Sequence, residues 1–102
     1  MLIYNTTYLV SDKVYGVWFK WVKEYAIPYM TESGHLIQPQ IAKVLLEDKS
    51  QEGISVTLQV KVRNNDILER WNAMYEAELH QNCFENFGTE VLFFSTVLEI
   101  LD

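Results

Sequence analysis

Residues 54–62, Ile-Ser-Val-Thr-Leu-Gln-Val-Lys-Val, alternate along their whole length, with Ile54, Val56, Leu58, Val60 and Val62 on one side and Ser55, Thr57, Gln59 and Lys61 on the other. That is the period of a strand with one buried and one wet face. Residues 2–10 carry β-branched and aromatic side chains at strand density and stop at the turn-prone Ser11 and Asp12. Beyond them Val14, Val17, Trp18, Trp21, Val22, Tyr25 and Tyr29 recur at steps of three and four, which predicts an amphipathic helix capped by Ser11 or Asp12 and ended or bent by Pro28. Gly34 closes a short irregular piece and Pro39 marks the exit of the loop. Residues 41–48 then form a strand that pairs with 54–63 through the hairpin loop Lys-Ser-Gln-Glu-Gly, residues 49–53. Asn64, Asn65 and Asp66 offer N-caps to a second helix with the stripe Ile67, Leu68, Trp71, Met74, Tyr75 and Leu79, continuing through Cys83, Phe84 and Phe87 to Gly88. Residues 90–101 are the last strand.

The predicted order is β-α-β-β-α-β, two split βαβ halves. That is an α+β, ferredoxin-like sandwich, a four-stranded antiparallel sheet with both helices on one face. A chain of 102 residues makes one such domain, residues 1–102. The plan leaves the other sheet face bare, and the last strand, Val-Leu-Phe-Phe-Ser-Thr-Val-Leu-Glu-Ile-Leu, is apolar on both sides. One of its rows packs under the helices. The other, either Val91, Phe93 and Val97 or Leu92, Phe94, Leu98 and Ile100, is left on the bare face, where exposure forfeits roughly 1.5–3 kcal/mol per side chain. A face-to-face homodimer satisfies it, which makes Val91, Phe93, Phe94, Val97 and Leu98 the candidate subunit contacts; a strand that extends past the sheet or is covered by the chain's own loops is the other reading.

On the third strand the row turned from the helices is Ser55, Thr57, Gln59 and Lys61, and one row of the first strand is Ile3, Asn5, Thr7 and Leu9. Should these meet, an apolar rim surrounds a polar middle, the composition of a small-molecule cavity, with Asn5, Thr7, Thr57 and Gln59 as candidate ligand-binding residues. Polar groups satisfying one another in a wet interface would give the same pattern, and the open face is expected to bind either a small ligand or a protein partner. Leu2, Tyr4, Thr6, Tyr8 and Val10 compete for the same face of the first strand.

Charge narrows the partners. With 8 basic against 14 acidic residues the net charge is −6, which opposes binding to nucleic acid or to an anionic membrane surface. The start of the chain lacks the charged leader and unbroken apolar run of a secretory signal, no run is long enough to span a bilayer, and Cys83 is the only cysteine. A cytoplasmic protein is expected.

Met-Leu-Ile-Tyr-Asn-Thr-Thr-Tyr-Leu-Val at the start, Phe-Lys-Trp-Val-Lys-Glu-Tyr-Ala-Ile-Pro-Tyr-Met at 19–30 and Phe-Gly-Thr-Glu-Val-Leu-Phe-Phe at 87–94 resemble a family known only as domain of unknown function 4286, over nearly the whole chain. The resemblance implies the ferredoxin-like fold and no established activity. More remotely, the plan is similar to the dimeric α/β-barrel proteins of the antibiotic-biosynthesis monooxygenase type. That resemblance implies a pocket beside the open sheet face and, in the haem-degrading branch, a first-strand asparagine with a second-helix tryptophan and histidine. Asn5, Trp71 and His80 stand in comparable places, which adds Trp71 and His80 to the candidate ligand-binding residues and makes a small monooxygenase or haem-degrading enzyme the alternative reading. Trp71 is equally a member of its helix's core stripe, and a lone histidine near a helix C-terminus is commonly a dipole partner.

The remaining motifs carry less. Residues 13–20 resemble an acylphosphatase phosphate loop, but Lys20 stands where that loop has an arginine and lacks its planar fork. RNA-recognition domains share the element order, yet 54–62 holds no aromatic residue on which a base could stack. His35, His80 and Cys83 show no metal-ligand spacing. No motif calls for a cofactor, and none identifies a catalytic residue.

Overall fold

The computed structural model describes residues 1–45 and 52–102. Strands β1 (Leu2–Val10), β2 (Ile37–Lys43), β3 (Ile54–Val62) and β4 (Val91–Glu99) form one antiparallel sheet in the order β2-β3-β1-β4. Helix α1 (15–31) follows β1, and α2 (65–87) follows β3. This is the ferredoxin-like plan, with both helices on one face. The Cα envelope is 18 Å along its thinnest axis, room for one sheet and one helix layer and nothing beyond.

The rows of β1 are assigned by size. Tyr4, Thr6, Tyr8 and Val10 face the helices and are buried, and Val56, Leu58, Val60 and Val62 lie beside them in register. Each helix sets one tryptophan on a β1 tyrosine: Trp18 of α1 lies 5.2 Å from Tyr8, and Trp71 of α2 lies 6.2 Å from Tyr4, ring centre to ring centre. The competing row, Ile3 to Leu9, has no ring large enough to fill that space. Thr6, buried among these rings, shares a hydrogen bond with the hydroxyl of Ser95 at 3.1 Å, which removes the cost of an unpartnered buried hydroxyl.

Both helices contain a π turn, Val22–Ala26 in α1 and Asn72–Glu76 in α2. The sequence spacing explains them. Trp18, Val22, Ala26 and Met30 recur every four residues, as do Trp71, Tyr75, Leu79, Cys83 and Phe87. A step of four overshoots an α-helical turn by about 40°, so several steps carry the stripe off the face. One widened turn takes back about a residue's rotation, about 100°, and keeps Trp18 and Met30, or Trp71 and Phe87, on the core. Pro28 therefore does not end α1. The carbonyl it would strike belongs to Glu24, inside the widened turn, and the helix runs on to Thr31. Val17 and Met74, counted with the apolar stripes, are exposed.

Other boundaries also shift. Neither Ser11 nor Asp12 caps α1, which starts after Val14 with no side-chain cap. Ser11 accepts the Lys13 N–H within the preceding turn at 3.3 Å. Asn64 does cap α2, accepting the Ile67 N–H at 2.9 Å, and Gly88, at φ 55°, ends it. Strand β2 starts at Ile37, ahead of the expected 41, and passes through Pro39. An irregularity between Ile37 and Gln40, with Gln38 at φ 53°, accommodates the proline on an edge strand. Of the expected hairpin, residues 46–51 lie outside the described residues.

Candidate functional site: the open face of the sheet

Parity fixes what the bare face shows. Opposite the helix layer, β1 presents Ile3, Asn5, Thr7 and Leu9, β3 presents Ser55, Thr57, Gln59 and Lys61, and β4 presents Leu92, Phe94, Thr96 and Leu98. In register across all four strands, Gln40, Gln59, Asn5 and Thr96 make one polar rung. The next rung is Ala42, Thr57, Thr7 and Phe94. Leu9 and Leu92 bound this centre at one end, and Ile3 and Leu98 at the other. Four of the candidate ligand-binding residues, Asn5, Thr7, Thr57 and Gln59, thus stand together as two adjacent pairs. Thr96 and Gln40, which sequence reasoning did not single out, complete the rung. The alternation of 91–99 with a matched register was the signal for Thr96, and the early start of β2 hid Gln40.

The Asn5 amide donates to the Thr7 hydroxyl at 3.4 Å, and its buried oxygen meets no donor among the described residues. Thr57 donates to the Ala42 carbonyl at 3.3 Å. Within these strand rows the face holds one charge, Lys61, and no acidic residue, although the chain carries 14. Its apolar members are left uncovered: Leu92 is 56% exposed, Phe94 62% and Leu98 42%.

Trp71 and His80 lie on the other side of the sheet from Asn5. Trp71 is fully buried against Tyr4 and Tyr75, and its indole N–H has no partner among the described residues, so its surroundings are those of a core ring. His80 packs on Phe93 at 4.4 Å between ring centres, with Nδ1 4.0 Å from the Glu76 carboxylate. Burial lowers its pKa and the Glu76 charge opposes this more weakly. Glu76 also accepts from the Tyr4 hydroxyl at 3.1 Å. The three residues that haem degradation would need are not brought to one place.

The expected subunit contacts divide likewise. Phe94 and Leu98 belong to the open face. Val91 and Phe93 do not: Val91 is 4% exposed in the core, and Phe93 is held between Tyr8 and His80, because odd-numbered residues of β4 pair with the helix-side row of β1. Val97 shares that side but lies where α2 does not cover it, 48% exposed.

Solved structures share this architecture at low identity. An ethyl tert-butyl ether d (ethd) family protein from Bacillus halodurans matches at 8% identity and TM-score 0.72, over 99% of this chain and 100% of its own. A proposed antibiotic biosynthesis monooxygenase from Deinococcus radiodurans matches at 16% identity and TM-score 0.68, over 100% and 94%. A dimeric ferredoxin-like protein from an uncultured marine organism matches at 14% identity and TM-score 0.67, over 99% and 94%. At these identities the similarity is one of fold. No curated protein matches the chain. A family model does match residues 1–101, and the chain belongs to that family, described as Domain of unknown function (DUF4286).

Proposed function

We propose that the protein is a cytoplasmic homodimer that closes two open sheet faces on each other and holds a small ligand at the polar rung between them. One observation carries the reading: on the open face β1 and β4 are apolar at both ends, a polar band crosses the centre, and the strand rows themselves hold no acidic residue on a chain of net charge −6. Two copies bring like net charges together, and the strand rows of this face add no carboxylate to the contact. The exposed row of Leu92, Phe94 and Leu98 supplies the apolar contact, and each side chain, already part-covered, gains roughly 1–2 kcal/mol on full burial. A ligand over the rung would meet the amides and hydroxyls of Asn5, Gln59, Thr7 and Thr57. The dimeric ferredoxin-like structure from the marine organism supports the assembly by analogy of fold. A single cysteine, Cys83, buried with its thiol pushed up to about 11 by desolvation, suits a reducing compartment. No helix among the described residues is long and apolar enough to cross a membrane.

A crystal of the purified dimer tests the ligand half. Density for a bound molecule in contact with Asn5, Thr7, Thr57 or Gln59 is the expected result, and Asn5→Leu with Gln59→Leu should abolish it. An interface closed by side chains alone, with no space at Asn5 and Gln59, would reduce the role to assembly. Haemin is the discriminating probe for the alternative enzyme reading: no Soret shift dependent on His80 is expected, and a shift lost in His80→Ala would restore that alternative.

A further inference from the structure

Where α1 ends against the middle of α2, the chain departs from a local rule. The last turn of a helix carries partial negative charge on its free carbonyls and favours basic side chains. Here that turn has no basic residue, and the C-cap position is Glu32, an exposed carboxylate placed against the dipole. Among the described residues Glu32 has no salt-bridge partner, nor has Glu78 nearby on α2.

Beside Glu32 is an aromatic corner. The rings of Tyr29 and Tyr75 stand 86° to each other with centres 6.0 Å apart, and with Glu32 and Ser33 they line a cavity of about 310 Å³. Tyr29 is held firmly: its hydroxyl donates to the Tyr75 carbonyl at 3.1 Å and to the Glu78 carboxylate at 3.0 Å, and Tyr25 stacks on it at 5.5 Å and 15°. The acceptor carbonyl lies in the π turn of α2, so the widened turn that re-phases the core stripe also anchors this ring. Burial together with the Glu78 charge pushes the Tyr29 phenol up to about 12, and Tyr25 is raised by burial, Glu78 and Glu85.

Two tyrosine rings, a carboxylate with no salt-bridge partner among the described residues and a helix C-terminus all favour a cation, and an aromatic corner is matched to one with an apolar shell. We propose that this corner binds a small organic ammonium, preferably methylated, with its charge against the faces of Tyr29 and Tyr75 and toward Glu32. The cavity is at the lower end of the range for small-molecule sites. It lies on the helix layer, away from the open sheet face, so it stands or falls independently of the dimer.

Choline and its carbon isostere, in which a quaternary carbon replaces the nitrogen, separate charge recognition from apolar contact. In amide NMR spectra of the whole protein at constant ionic strength, choline should give saturable shifts at residues 29–33 and Tyr75. The isostere should bind roughly two- to thirty-fold more weakly. Glu32→Gln, an exposed and fold-neutral change, should weaken choline by a similar factor, and Tyr75→Leu should abolish the shifts. Equal binding of the isostere, shifts that survive Glu32→Gln unchanged, or no saturable shift at all would each overturn the proposal.

Discussion

Phe94→Asp is expected to convert the assembly into single subunits that remain folded. Phe94 is more than half exposed and lies on the open face beside Thr7, so its replacement removes nothing from the chain's own core. Across a two-fold contact the substitution acts twice, and it places carboxylates where the rows of this face carry none. Leaving an unpaired charge in a buried contact costs several kcal/mol per site, enough to lower a micromolar association by orders of magnitude. Phe93→Asp is the control. Phe93 packs against Tyr8 and His80, so that variant should lose stability first and assembly only as a consequence. Light scattering after size exclusion, with circular dichroism for folding, reads both. A Phe94→Asp protein of unchanged mass would remove β4 from the contact. Should Phe94→Asp prove insoluble, Phe94→Ser serves the same comparison without the buried charge.

The larger effect on stability is expected at Trp71. It is fully buried, leans on Tyr4 and Tyr75, and sits immediately before the π turn that keeps the lower half of α2 on the core. Trp71→Ala should cost about 3–5 kcal/mol, a large share of the roughly 5–15 kcal/mol available to a domain. Trp71→Phe should cost much less, because the indole N–H makes no hydrogen bond among the described residues that the substitution would break. Trp21 offers the contrast: its indole N–H donates to Asn82 at 2.7 Å, so Trp21→Phe removes packing and a hydrogen bond together. Urea midpoints for the three variants decide. If Trp71→Phe were as damaging as Trp71→Ala, the indole would have a role beyond filling the core.

Much of the fold was legible because strand alternation and helical stripes are read from side-chain polarity alone. Strand β3 is the clearest case, with its five apolar and four polar positions on opposite faces. What was not legible depended on other quantities. Both rows of β1 mix apolar and polar residues, Thr6 in one and Asn5 and Thr7 in the other, and ring volume beneath Trp18 and Trp71 decides between them. The π turns follow from a strict spacing of four that looks like ordinary α-helical periodicity over a short window. Strand β2 was read too late because Pro39 signals an exit, whereas an edge strand with an irregularity tolerates it. For the site, Asn5, Thr7, Thr57 and Gln59 needed only strand parity and a hairpin register. Trp71 and His80 entered by family resemblance, and the sheet separates them from Asn5. The sequence leaves the parity of β4 against β1 open, and the observed register turns Val91 and Phe93 inward.

The central claim is that the open face meets its own copy. Sedimentation equilibrium of the wild-type protein from low to high micromolar concentration tests it most directly. A species of twice the 12.0 kDa chain mass, reduced to a single chain by Phe94→Asp, is the expected result. A monodisperse, well-behaved single subunit at high micromolar concentration would contradict it.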